Sequence, residues 1–155
     1  MDIDSIFVYG TLKLNHLRSN VWPCAPRQIR QATIRAALYD TGPFPAILQG
    51  NDFVLGEVWT LKLEDMPRTL AALDEVEGYA PTRDANLYVR IEVDATLNDG
   101  SIVPSFTYQF ATSKNQFSMR RIEPFLNFAD HSCAAWPDPL SRVPQSMAEE
   151  EAGEN

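Results

Sequence analysis

The sequence predicts an α+β domain: a small mixed β-barrel with flanking helices. Three observations predict it. Short apolar or alternating segments recur along the chain, about six of them, bounded by glycine, proline, asparagine or aspartate. One stretch, 66–78, carries a helical period instead. And 155 residues, 45% hydrophobic and 22% charged, suffice for one buried core. The expected organisation is a single domain over residues 1–136 and a disordered acidic tail over 137–155.

The elements follow in order. Ile3 to Tyr9 is a strand, nearly continuous in apolar character at its end, as a central strand is. Leu14 to Trp22 has room for one or two helical turns before Pro23 and Pro26 stop them. Gln31 to Tyr39 alternates, with Ala32, Ile34, Ala36 and Leu38 on one side. Asp40 to Pro45 is a stiff turn, Ala46 to Leu48 a short strand, and Gln49 to Asp52 another turn. Phe53 to Leu61 is a strand with Gly56 inside it, a mark of a bulge, a barrel corner or a close neighbour.

Asp65 is the expected N-cap of the helix, Pro67 is tolerated in its first turn, and Gly78 marks its end. Leu87, Val89, Ile91 and Val93 then alternate with Tyr88, Arg90 and Glu92. Asn98-Asp99-Gly100 signals a hairpin returning through Ser101 to Phe110, with Pro104 hinting at an edge or bulge. Phe117 to Phe128 is expected to be helical despite Pro124.

Charge and spacing exclude several classes. The formal charge is −8, from 13 basic and 21 acidic residues, and half of it sits in the tail after Pro137. No basic stripe suited to nucleic acid occurs; Arg120-Arg121 is too short. Cys24, Cys133, His16 and His131 are scattered, without metal-ligand spacing, and the cysteines read as reduced thiols. No apolar run approaches the ~18–20 residues that span a membrane. The acidic start Met1-Asp2-Ile3-Asp4 lacks the basic region of a signal peptide, so a cytoplasmic location is expected.

Two stretches carry candidate chemistry. At Tyr9-Gly10-Thr11-Leu12 the first strand ends in a turn. Its glycine permits close backbone approach, Thr11 offers a hydroxyl, and the amides that follow form a small anion cradle or a merely structural turn. On the helix, Met66, Leu70, Leu73 and Glu77 fall within about 60° of one another at 100° per residue. Glu77 thus extends an apolar stripe while Glu75 faces water. It is either a frayed end or a carboxylate placed for use as a general acid or base.

These features together resemble the γ-glutamylcyclotransferase superfamily, in particular its small γ-glutamylamine cyclotransferase-like branch. The matching stretches are Tyr9-Gly10-Thr11-Leu12-Lys13, Leu38 to Ala46, Val54-Leu55-Gly56-Glu57-Val58, Leu73-Asp74-Glu75-Val76-Glu77-Gly78-Tyr79 and Tyr88-Val89-Arg90. Their order and spacing span residues 5–110. Ala36-Ala37 stands where the family commonly has a glycine.

The resemblance implies a barrel with a cavity and an enzyme that cyclises a γ-glutamyl group. The turn at Tyr9, Gly10, Thr11 and Leu12 would hold the carboxylate end of a small-molecule γ-glutamyl substrate. Glu77 would be the general acid/base and Tyr88 would line the pocket. The products would be 5-oxoproline and a released amine or amino acid, with no metal or cofactor. Blander roles compete for single residues: Tyr9 as a barrel anchor, Asp74 as a helix-end carboxylate, Arg90 in an ion pair with Glu57 or Glu92. Two other functions remain open, a non-catalytic ligand-binding domain that keeps the cavity and a hydrolase releasing glutamate.

Overall fold

Both faces of the first strand are buried, and this decides the architecture. In the computed structural model, which describes residues 2–13, 19–41, 44–80, 86–111 and 119–136, β1 is Ser5–Val8. Phe7 and the following Tyr9 join one apolar core, with Ile34, Leu38, Val54, Val58, Leu97 and Trp136. Ile6 and Val8 join a second, with Trp59, Leu61, Met66, Leu73, Tyr108 and Phe110. A strand shared between two cores reads as an unbroken apolar run.

The other strands are β2 (Gln28–Asp40), β3 (Pro45–Thr60), β4 (Tyr88–Leu97), β5 (Ile102–Phe110), β6 (Arg120–Arg121), β7 (Leu126–Phe128) and β8 (His131–Ala134). Their order in the sheet is β6-β2-β4-β5-β1-β3-β8-β7, and β2 also pairs with β3. That extra pairing closes β2, β4, β5, β1 and β3 into a barrel. The ladder is antiparallel within the barrel except where β1 meets β5, at Ile6 and Phe106. Closure leaves none of these five strands as a free sheet edge.

Gly56 lies where β3 crosses β1. A Cβ there would sit 2.4 Å from the Val8 carbonyl oxygen and 2.6 Å from Phe7 Cζ. The missing side chain is the space the Phe7 ring fills.

Helix α1 (Met66–Glu77) packs on the second core through Met66, Thr69 and Leu73. Asp65 precedes it with a helical backbone and no capping bond, because the 3₁₀ turn Leu63–Asp65 already leads into the helix. Gly78 does end it, at φ 72°.

Two further expectations change. Ala46–Leu48 and Phe53–Leu61 are not separated by a turn: β3 runs through, and its register against β2 shifts between Ala36–Asp52 and Ala37–Leu48. A bulge absorbs the polar residues that read locally as a turn. The segment around Pro124 is not helical: Ile122 N–H bonds Leu38 O at 2.8 Å and Phe125 N–H bonds Cys133 O at 2.9 Å. Long-range pairing takes these donors, and proline cannot sit inside a helix without loss. Tyr88 is buried in the second core and Leu87 is 44% exposed, because α1 covers the Tyr88 face of β4. Of the stretch Leu14–Trp22, the described part holds a short 3₁₀ turn at Ser19–Val21. Residues 14–18, with His16, lie outside the described residues, as do Gly42, Pro43, Phe117 and the 137–155 tail.

Candidate functional site

The turn after β1 is built from both ends. Lys13 N–H donates to Gly10 O at 3.1 Å and closes it. The Leu12 carbonyl accepts the Trp22 indole N–H at 3.1 Å. Gly10 does permit a close approach, but by its own chain: a Cβ there would lie 2.6 Å from Pro45 Cγ. Among the described residues, the Thr11 and Leu12 amides have no backbone acceptor. They are the donors an anion would need.

The end of α1 faces this turn. Gly78 N–H bonds Glu75 O at 3.2 Å and Tyr79 N–H bonds Asp74 O at 2.8 Å. This paired closure with a left-handed glycine is a Schellman motif, which ends the helix sharply after Glu77. Asp74 then docks the helix end on the barrel. Its carboxylate accepts the Tyr108 hydroxyl at 2.6 Å and pairs with Arg90 at 2.5 Å. The carboxylate seen against Arg90 is thus that of Asp74, where its strand position had suggested Glu57 or Glu92. The helix brings a nearer carboxylate over the same face of β4. The Arg90 guanidinium also lies over Tyr79 and Phe106, 5.6 and 5.4 Å from their ring centres.

Between turn and helix end lies a cavity of about 120 Å³. Tyr9, Gly10, Thr11, Leu12, Glu77 and Tyr88 all line it, while Asp74 and Arg90 do not. Glu77 is half-buried there. The Tyr88 hydroxyl donates to Pro45 O and the Tyr9 hydroxyl to Tyr108 O, each at 2.6 Å. Burial pushes the Tyr9 phenol well above its ordinary pKa, and the charges of Tyr88 and Glu77 push the same way. Burial and the bond to Asp74 raise Tyr108 as well. Both phenols stay neutral at ordinary pH.

Sequence reasoning missed Phe44, Pro45, Thr107 and Tyr108, which also line the cavity. A signal existed on β5: Ser105 and Thr107 put small polar side chains among large apolar ones, and Thr107 Oγ1 donates to Phe7 O at 2.8 Å. Among the described residues no group of three or more His, Cys, Asp or Glu side chains is placed to hold a metal. Cys24 and Cys133 are free thiols, and no helix among the described residues is long and apolar enough to cross a membrane.

A family model described as gamma-glutamyl cyclotransferase, AIG2-like, matches residues 6–124. The chain belongs to that family. A gamma-L-glutamyl-butirosin B gamma-glutamyl cyclotransferase of Niallia circulans is 34% identical over 99 residues, 63% of this chain and 61% of that protein. A Halalkalibacterium halodurans relative is 37% identical over 75 residues, 46% of this chain and 62% of that one. The chain thus spans about three fifths of the length of these relatives. An AIG2-like protein of Mus musculus superposes with TM-score 0.60 at 23% identity, over 93% of this chain and 97% of the mouse protein. At that identity the likeness speaks for the cyclotransferase-family fold.

Proposed function

We propose that the protein is a γ-glutamyl cyclotransferase that releases 5-oxoproline and a free amine or amino acid from a small γ-glutamyl substrate. The observation that carries this reading is that Glu77 and the Tyr9–Leu12 turn line the same cavity. The cavity is well below the ~300–1,000 Å³ of sites for drug-sized ligands. It suits one amino-acid-sized group, with the rest of the molecule projecting outward.

The chemistry needs few groups. The α-amino nitrogen attacks the γ-carbonyl carbon of its own chain, a C–N bond forms, and a five-membered ring closes. Glu77 takes the proton from that nitrogen. The tetrahedral centre then collapses, the bond to the departing nitrogen breaks, and Glu77 returns the proton to the leaving amine. No water is consumed. Both reactants belong to one molecule, so holding it folded supplies much of the rate advantage. The Thr11 and Leu12 amides would hold the α-carboxylate. Tyr9 and Tyr88 would shape the wall, their hydroxyls being committed to Tyr108 O and Pro45 O.

The test is 5-oxoproline release from a panel of γ-glutamyl amines and dipeptides, with products identified by mass. Glu77→Gln should lower kcat by roughly 10²–10⁴-fold on the best substrate, the range for a lost general acid/base. A Glu77→Gln protein as active as the parent refutes the mechanism. Glutamate in place of 5-oxoproline would make the enzyme a hydrolase.

A further inference from the structure

We propose that Trp22 is a positioning residue for the cyclotransferase site: with Trp59 behind it, it sets the peptide planes of the Gly10–Lys13 turn that hold the substrate's carboxylate. This rests on the function proposed above.

A cradle made of backbone amides has no side-chain rotamer to fix it, so its geometry depends on what holds its peptide planes. The Leu12–Lys13 peptide is held at both ends. Its carbonyl accepts from Trp22 Nε1 at 3.1 Å and its N–H donates to Gly10 O at 3.1 Å. A peptide unit is planar, so two bonds at opposite ends orient the plane and restrict the amide before it.

Trp22 is in turn held against the barrel. Its ring stacks on Trp59 with centroids 4.0 Å apart and planes 8° from parallel. Trp59 is buried on β3, and its indole N–H donates to Glu57 Oε1 at 3.0 Å. Glu57 pairs with Val8 across the ladder, just before the turn begins. On the other flank Lys13 Nζ donates to the Trp136 carbonyl at 2.6 Å, tying the turn to the end of the described chain. Trp22, Trp59, Glu57 and Trp136 are not among the cavity's lining residues. The turn is braced from behind, and its front is left to the ligand. Stacking alone would not require the indole N–H of Trp22 to meet a carbonyl of the turn.

Trp22→Phe keeps an aromatic ring against Trp59 and removes the donor. KM for the best γ-glutamyl substrate should rise roughly 3- to 10-fold, the worth of one hydrogen bond. By the same reasoning kcat should stay within about twofold, since Glu77 lies across the cavity on α1. The dissociation constant for L-glutamate, by calorimetry, should weaken in parallel with KM. Lys13→Met, which cuts the second tie, should show the same split and serves if Trp22→Phe does not fold.

An unchanged KM in a folded variant overturns the proposal. A fall in kcat alongside lost thermal stability also overturns it, because that is what a purely structural stack predicts. If the parent releases no 5-oxoproline, the functional reading fails separately. The L-glutamate titration then decides: weaker binding by Trp22→Phe than by the parent supports the brace, and equal or absent binding removes it.

Discussion

Asp74 ties the C-terminal end of α1, which carries Glu77, to the barrel, and its removal has a calculable cost. The side chain accepts the Tyr108 hydroxyl at 2.6 Å and the Arg90 guanidinium at 2.5 Å. Tyr108 is 3% exposed. Asp74→Ala leaves its hydroxyl without that acceptor, which costs roughly 1–3 kcal/mol. The ion pair is shielded, with side chains 23% and 17% exposed, but still partly wet, so it adds about 1 kcal/mol. The sum is about 2–4 kcal/mol. For a domain of this size each kcal/mol shifts Tm by roughly 2–4 °C, so a drop of about 5–15 °C is expected. Asp74→Asn keeps an acceptor for Tyr108 and should lose about half as much, roughly 1–2 kcal/mol.

The assay is urea unfolding of the parent, Asp74→Ala, Tyr108→Phe and the double variant. The cycle should give a coupling of about 1–2 kcal/mol, as expected for groups in direct contact. Glu77 is one turn further along the same helix, so Asp74→Ala should also slow 5-oxoproline release under conditions where the variant remains folded. A stability loss under about 0.5 kcal/mol, or additive single effects, would refute the docking role.

Further predictions concern the frame. Gly56→Ala places a Cβ 2.4 Å from the Val8 carbonyl oxygen and should destabilise the fold by about 1–3 kcal/mol in urea unfolding, as overpacking does. Tyr88→Phe removes the donor to the buried Pro45 carbonyl and should cost roughly 1–3 kcal/mol, read by calorimetry, with a rise in KM because both residues line the cavity. At the β4–β5 hairpin, bonds from the Ser101 hydroxyl and amide hold the Asp99 carboxyl below its ordinary pKa. A depressed carboxyl binds fewer protons folded than unfolded. Its stabilisation is therefore complete above the unfolded value and is lost as pH falls through the folded one. Asp99→Asn should flatten the acid limb of a Tm-against-pH curve, and an unchanged limb would remove Asp99 from the account.

Local chemistry was legible where it dictates local geometry. Gly78 ends α1 because a left-handed residue is required there, and the stripe of Met66, Leu73 and Glu77 follows from the helical repeat alone. The alternation of Ala32, Ile34, Ala36 and Leu38 placed one face of β2 in the core. Two of the failures share one cause. The Gln49–Asn51 bulge and the strands around Pro124 depend on partners far along the chain, and a local window carries no trace of them.

The same division runs through the site. By itself the sequence determined a strand ending in a glycine turn, a carboxylate on the apolar stripe of a helix, and the family order of the motifs. Sequence spacing cannot measure the gap between Leu12 and Glu77, because closure of the barrel sets it. Pairing of β2 with β3 and of β1 with β5 brings the turn beneath the end of α1, and the Asp74–Tyr108–Arg90 contacts hold the helix there. Only the tertiary structure made those two features the walls of one cavity, and only it placed Trp22 behind the turn. Each of these is a contact between distant parts of the chain, decided by packing rather than by propensity.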